Sequence, residues 1–295
     1  MDLLLYILTG IVSGFLAGLL GVGGGLIIVP ALVYTLPHAG YGPEVLVQTA
    51  VGSSLAVIVL TAVSSIRAHH RAGYVDWQMV CALAPGICVG ALAGAALAGH
   101  LRGETLRVVY LVFLLAVAAQ MLLEWRPPSR VKAGRVKAGR VEAGRGGGGR
   151  VETGGGEAGH GEPGRAVVAA TGFIIGGFSS LVGIGGGTLS TPFMLWCGRN
   201  IHAAVATSAA IGLPIAVSGA TGFVLAGLGR PDLPAGATGF VAWPAVAVVG
   251  GVSVLLAPLG ARLSHRVAQR PLKRTFAALL LVLAARIAWE MFGRG

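Results

Sequence analysis

The chain has 295 residues, 55% of them hydrophobic and only 11% charged, with a mean hydropathy of +0.80. Ordinary soluble domains carry about 25% charged residues, so this composition excludes a soluble enzyme of the same size. The formal net charge of +11 does not indicate nucleic-acid binding, because the basic residues lie between apolar runs and in one low-complexity tract rather than along a folded face.

The N-terminus passes from Met1 and Asp2 into apolar sequence at Leu3 with no basic lead-in, unlike a cleaved signal peptide. Apolar blocks follow at about residues 3–36, 46–66, 76–99, 105–124, 166–197, 203–228, 236–261 and 275–292. About 20 apolar residues of helix cross a bilayer core, so six blocks suit one span each, and the first and fifth are too long. Both long blocks break at a glycine cluster, Gly21, Gly23, Gly24 and Gly25 in one and Gly183, Gly185, Gly186 and Gly187 in the other. Glycine costs about 1 kcal/mol per residue in a helix interior relative to alanine. Each cluster is therefore expected to open the helix into a non-helical elbow, which membrane depth tolerates only where the backbone is buried in protein or faces a watered cavity. The glycine rows Gly10, Gly14, Gly18 and Gly86, Gly90, Gly94 read as close-packing seams. Cys81, Cys88 and Cys197 have no metal-ligand or redox spacing and read as small apolar residues.

Residues 126–165 differ in kind: Arg126-Pro127-Pro128, near-copies of a short unit from Val131 to Arg145, then a Gly/Glu/Arg tract. With almost no large apolar side chain this stretch cannot offset the entropy of ordering, and it is expected to be a disordered cytoplasmic linker. It separates a first transmembrane repeat, residues 1–125, from a second, residues 166–295. The halves repeat each other: Gly14 to Pro30 reads GFLAGLLGVGGGLIIVP and Gly176 to Pro192 reads GGFSSLVGIGGGTLSTP, while Ala50 to Ser54 matches Ala204 to Ser208. Internal repeats of this kind are the pattern of secondary transporters.

Lys and Arg are retained on the cytoplasmic side. The clusters Arg67 to Arg71, the linker, and Arg262 to Arg274 share one side only if the fifth block crosses twice, although Arg102, Arg107 and Arg230 fall on the other side. Treating the first block alike places five segments in each half, inverts the second half relative to the first and puts both termini outside. The expected fold is an all-α polytopic membrane protein of two homologous, inverted repeats. It has about eight to ten membrane segments, with a broken glycine-rich hairpin opening each half.

Every acidic residue lies at a block end, in a loop or in the linker, which argues against a carboxylate proton relay. No nucleophile and base set, metal-ligand pattern or cofactor motif is present, so the chain reads as neither enzyme nor cofactor protein. Arg286, a turn inside its block, can reach Glu290 or snorkel to the interface. What remains inside is neutral and rich in donors. The elbows expose backbone N–H groups, and the helix after each begins with about half a positive charge, which together make an anion cradle. Ser53, Ser54, Thr207 and Ser208 add hydroxyls at matching places in the two repeats. Gln48 and His202 occupy matching positions just before them. With no buried carboxylate, proton coupling would run through His202 or through the anion's own protonation, or not occur, and His202 also suits an interface.

The paired GVGGG and GIGGG clusters, each followed five residues later by a proline, resemble the TauE/SafE family of sulfite exporters and related anion permeases. So do the AVGSS and AVATS segments and the basic-then-Asp-Trp stretch Arg71 to Trp77. The resemblance covers the chain outside the linker and implies a multi-pass transporter of the bacterial inner membrane, with about eight spans, moving sulfite, sulfoacetate or similar small sulfur anions. It further implies that the glycine clusters, Pro30, Pro192 and the hydroxyl pairs are family-type residues. The second half lacks an Asp-Trp pair, since Asp232 and Trp243 are far apart. An anion channel or a non-transporting membrane scaffold subunit is the alternative reading.

Overall fold

A computed structural model describes residues 2–20, 24–71, 73–123, 165–263 and 269–292. Gly21 and Gly23 of the first cluster, and the expected linker up to residue 164, lie outside the described residues. The described residues form ten α-helices and no β-strand. Before the linker these are α1 (Asp2–Leu20), α2 (Gly25–Thr35), α3 (Leu46–Arg71), α4 (Trp77–His100) and α5 (Gly103–Leu122). After it come α6 (Arg165–Val182), α7 (Gly187–Trp196), α8 (Ile201–Gly227), α9 (Trp243–Leu263) and α10 (Gln269–Phe292).

Helices α3, α4, α5, α8 and α9 are long and apolar enough to cross a bilayer, and α1, α6 and α10 contain shorter apolar stretches. At 11 and 10 residues, α2 and α7 rise about 15 Å each, half of a hydrocarbon core about 30 Å thick. Large apolar side chains such as Leu123, Leu255 and Val282 cover the rim, whereas Ser13, Ser53, Ser54, Thr207, Ser208 and Ser253 are buried. Hydroxyls inside and leucines outside is the polarity of a bundle solvated by lipid, and the chain is a multi-pass membrane protein.

Side chains set the helix ends. The Asp76 carboxylate caps α4 by accepting from the Met79 N–H at 3.2 Å, and Asn200 caps α8 by accepting from the Ala203 N–H at 2.8 Å. Pro30 sits inside α2 and has no N–H for the Leu26 carbonyl one turn back. The Tyr110 hydroxyl of α5 donates to that carbonyl at 3.4 Å instead.

The halves interlock rather than sit side by side. Helix α1 packs along α9 and α4 along α6, while α3 and α8 meet at the centre and α5 lies on α10. Two of these seams are built on glycine. A Cβ at Gly86, Gly90 or Gly94 would run into the α6 backbone at Ala169, Phe173 and Gly177 in turn, and one at Gly14 would meet the α9 backbone at Ser253. Lipid tails are as apolar as leucine, so membrane helices associate largely through such close approach.

Candidate functional site

Both long blocks open where their glycines fall. In the first, Gly24 adopts a left-handed conformation with φ +75° and caps α2. Its carbonyl accepts from the Ile27 and Ile28 N–H groups at 3.0 and 3.2 Å. In the second, α6 ends in a Schellman arrangement, with the Ile184 N–H donating to the Ser179 carbonyl at 2.9 Å and the Gly183 N–H to the Ser180 carbonyl at 3.2 Å. Gly183 has φ +77° and Gly186 φ +74°. Gly186 caps α7, its carbonyl accepting from the Leu189 and Ser190 N–H groups at 3.1 and 2.8 Å. The amides of Gly25 and Leu26, and of Gly187 and Thr188, thus precede their helices' internal ladders, and all four residues are buried.

The tertiary fold brings the two elbows into contact. A Cβ at Gly25 would overlap the Gly183 carbonyl oxygen and stand 3.1 Å from both the Ile184 Cα and the Cδ1 of Ile58, at the middle of α3. Ser54 of α3 donates to the same Gly183 carbonyl at 2.9 Å. Gly212 of α8 packs on the Gly185 carbonyl, 2.7 Å from where its Cβ would be. Beside this contact is a cavity with room for about one water molecule, lined by Ala17, Thr61, Ser65, Gly185, Ala209 and Gly212 among others. Ala17 also lies 3.3 Å from a Cβ placed on Gly24, so the cavity is flanked by both elbows. The Ser65 hydroxyl is buried there with no hydrogen-bond partner among the described residues.

The hydroxyl pairs are placed differently from a common cluster. Ser53 of α3 accepts from the Ala242 N–H at 2.8 Å, and Thr207 of α8 accepts from the Asp76 N–H at 3.0 Å. Ala242 and Asp76 immediately precede Trp243 and Trp77, which open α9 and α4. Each repeat's hydroxyl therefore holds the fourth helix of the other repeat, and Trp243 occupies the place of Trp77 although the aspartate is replaced by Ala242. Ser208 accepts from Thr191 of α7 at 2.9 Å. Pro30 and Pro192 lie inside α2 and α7. Gln48 turns to the Leu101 carbonyl at 2.9 Å. His202 is exposed, its ring 5.8 Å from that of Tyr74.

Asp76 pairs with Arg199 at 2.8 Å, linking the α3–α4 and α7–α8 connections, with side chains 19% and 49% exposed. Such a pair contributes no more than about 1 kcal/mol. The Arg286 guanidinium stacks 4.3 Å over the Tyr34 ring, a contact the sequence did not suggest. Sequence reasoning also passed over Ser65, Ser179, Ser180 and Thr188, all buried. The last three were visible as columns of the repeat alignment in which the first half has Ala17, Gly18 and Leu26.

If the cross-repeat ties matter, Ser53→Ala and Thr207→Val should each lower thermal stability by about 1–2 kcal/mol, since each strands a backbone N–H. The double variant should lose the sum, because the ties lie on different connections. Melting of the detergent-purified protein, followed by tryptophan fluorescence, checks this.

The family model for the sulfite exporter TauE/SafE matches residues 6–287. A "Probable membrane transporter protein" of Haemophilus influenzae is 33% identical over 282 residues, covering 96% of each chain. A protein of the same name from Xylella fastidiosa is 25% identical over 297 residues, covering 98% of this chain and 96% of that one. The "Probable membrane transporter protein YunE" of Bacillus subtilis is 25% identical over 197 residues, covering 66% and 68%. No solved structure gives a significant match. With the family model spanning nearly the whole chain and both glycine elbows inside the match, this membrane protein belongs to the TauE/SafE sulfite exporter family.

Proposed function

We propose that the chain is a secondary transporter of small sulfur-containing anions such as sulfite or sulfoacetate, working as an exporter in the bacterial cytoplasmic membrane. The observation that carries this reading is the meeting of the two elbows, Gly25 against Gly183, beside a cavity at the middle of α3. Helix α2 starts at Gly25, on this contact, and α7 starts at Gly187, four residues beyond Gly183; each start is equivalent to about half a positive charge, and in this reading the two together offset about one negative charge without a cationic side chain. The elbow amides replace part of the water the anion sheds.

The repeats are read as inverted, with the linker and the Arg67 to Arg71 cluster on the cytoplasmic side. Two observations support this. Helix contacts are reciprocal, α1 with α9 and α4 with α6. The Ser53 tie lies in the first half of α3, whereas the Thr207 tie, in the first half of α8, lies at the connection that follows α3. Rocking of one interlocked half against the other would expose the cavity to each side in turn, and Ser53, Ser54 and Thr207 act as braces between the halves.

Sulfite and sulfoacetate efflux from proteoliposomes tests the reading, comparing wild type with a Gly24→Val, Gly186→Val double variant. The expected result is saturable flux in the wild type and at least a twentyfold loss in the variant. Equal flux in both would remove the elbows from the pathway. Flux that never saturates would favour a channel, and no flux above protein-free vesicles would favour a scaffold subunit.

A further inference from the structure

The two elbows share a left-handed glycine cap, Gly24 at φ +75° and Gly186 at φ +74°, but differ in chemistry. Over Ser179 to Thr188 the second elbow carries Ser179, Ser180 and Thr188 where the first has Ala17, Gly18 and Leu26. These hydroxyl-bearing residues are 1%, 0% and 9% exposed, and none of the three hydroxyl oxygens has a hydrogen-bond partner among the described residues. The neighbouring hydroxyls do: Ser190 donates to the Gly186 carbonyl at 2.6 Å and Thr191 to Ser208 at 2.9 Å. The Ser179 oxygen lies 3.8 Å from where a Cβ on Gly186 would stand, beside the cap from which α7 presents its first amides. A buried donor left unmade is destabilising, and folded proteins keep few of them. With the Ser179 oxygen turned to the α7 cap and Thr188 on the first turn of α7, the second elbow is a place prepared for an acceptor, and Ala17, Gly18 and Leu26 give the first elbow no hydroxyl at the matching places.

We infer that the second elbow is the anion-selecting one. Ser179 and Thr188 supply hydroxyl donors beside the Gly187 and Thr188 amides, while Ser180 faces Gly219 of α8, and the ligand is a compact oxyanion carrying a single negative charge, hydrogen sulfite rather than the dianion sulfoacetate. The inference rests on the anion-transport reading above and deepens it. The charge limit follows from the absence of any cationic side chain among the groups named. The desolvation penalty of an ion grows with the square of its charge, and a monoanion already faces several kcal/mol on burial. Two half-charges at helix ends match a monoanion and leave a dianion half uncompensated. The first elbow, with Ala17, Gly18 and Leu26 at the matching places, adds its helix start but no hydroxyl donor. Ser179 and Thr188 are thus specificity-determining residues, one at the end of α6 and one on the first turn of α7, and the glycines between them form the turn that joins the two helices.

The test is uptake of radiolabelled sulfite into proteoliposomes at mildly acidic pH, where most of it is the monoanion hydrogen sulfite, with methanesulfonate and sulfate as competitors. Ser179→Ala and Thr188→Val should each raise the KM for sulfite about tenfold, the loss of one hydrogen bond to a charged group. Ser13→Ala, which removes a buried hydroxyl already bonded to Ser253 at 3.1 Å, should leave KM within twofold. Methanesulfonate, a monoanion, should compete at concentrations at least tenfold lower than sulfate. Ser179→Thr and Thr188→Ser keep the hydroxyl and should restore a near-wild-type KM, which separates loss of a donor from loss of fold. The inference is overturned if the Ala and Val variants keep the wild-type KM, or if sulfate competes as well as methanesulfonate. Either result leaves the elbow pathway standing so long as the Gly24→Val, Gly186→Val variant stays inactive. Absence of sulfite flux in the wild type would instead remove the transport reading and this inference with it.

Discussion

Gly25→Ala should abolish anion flux and lower stability by about 3 kcal/mol, the upper end for overpacked core positions. Its Cβ would overlap the Gly183 carbonyl and crowd the Ile184 Cα and the Ile58 side chain. Two of these three obstacles are backbone, so no rotamer change relieves the clash and the elbows must separate. Gly186→Ala is the informative partner. There the first obstacle is the Cδ1 end of Ile215, which can swing away, leaving mainly the strain of a non-glycine residue at φ +74°, about 1–2 kcal/mol. The expected order is therefore a dead, poorly folded Gly25→Ala protein and a weakened but assembled Gly186→Ala protein. Flux per correctly reconstituted molecule, with melting temperature beside it, checks the order. If Gly25→Ala transports normally, the elbow contact has no part in function.

Gly90→Val should prevent assembly altogether. Gly90 lies against the Phe173 backbone at the middle of the α4–α6 seam, flanked by Gly86 against Ala169 and Gly94 against Gly177. A branched side chain there wedges the two helices apart along their length, and without a hydrophobic drive between membrane helices nothing replaces the lost contacts. Because this seam joins the first repeat to the second, the failure should appear as loss of the monodisperse peak in size-exclusion chromatography. Gly251→Val is the control, since nothing lies within 4 Å of a Cβ there, and it should purify normally. Equal behaviour of the two variants would mean that the seam is not limiting.

Much of the architecture was legible in the chain itself, for a physical reason: in lipid the backbone must satisfy its own hydrogen bonds, so apolar length reports helices directly. The break in each long block was legible too, because four glycines in five positions cannot hold a helix. The seams at Gly86, Gly90 and Gly94 followed from their spacing of four, which puts them on one helix face. Trp243 was harder to place, since its aspartate is missing and only the reciprocal tie between Ala242 and Ser53 reveals its equivalence to Trp77.

Residue type and spacing along one chain thus determined the helices and the breaks at the two glycine clusters, local consequences of backbone sterics and apolar length. Which groups those breaks meet was decided only in three dimensions. The hydroxyls of Ser53 and Thr207 turned to amides more than a hundred residues away, Gln48 went to Leu101, and His202 went to the surface beside Tyr74. Ser179, Ser180 and Thr188 were left buried with donors unmade. A hydroxyl's partner depends on which helix crosses it, and that crossing is set by the interlock of the two halves, a relation that no pattern within either half encodes.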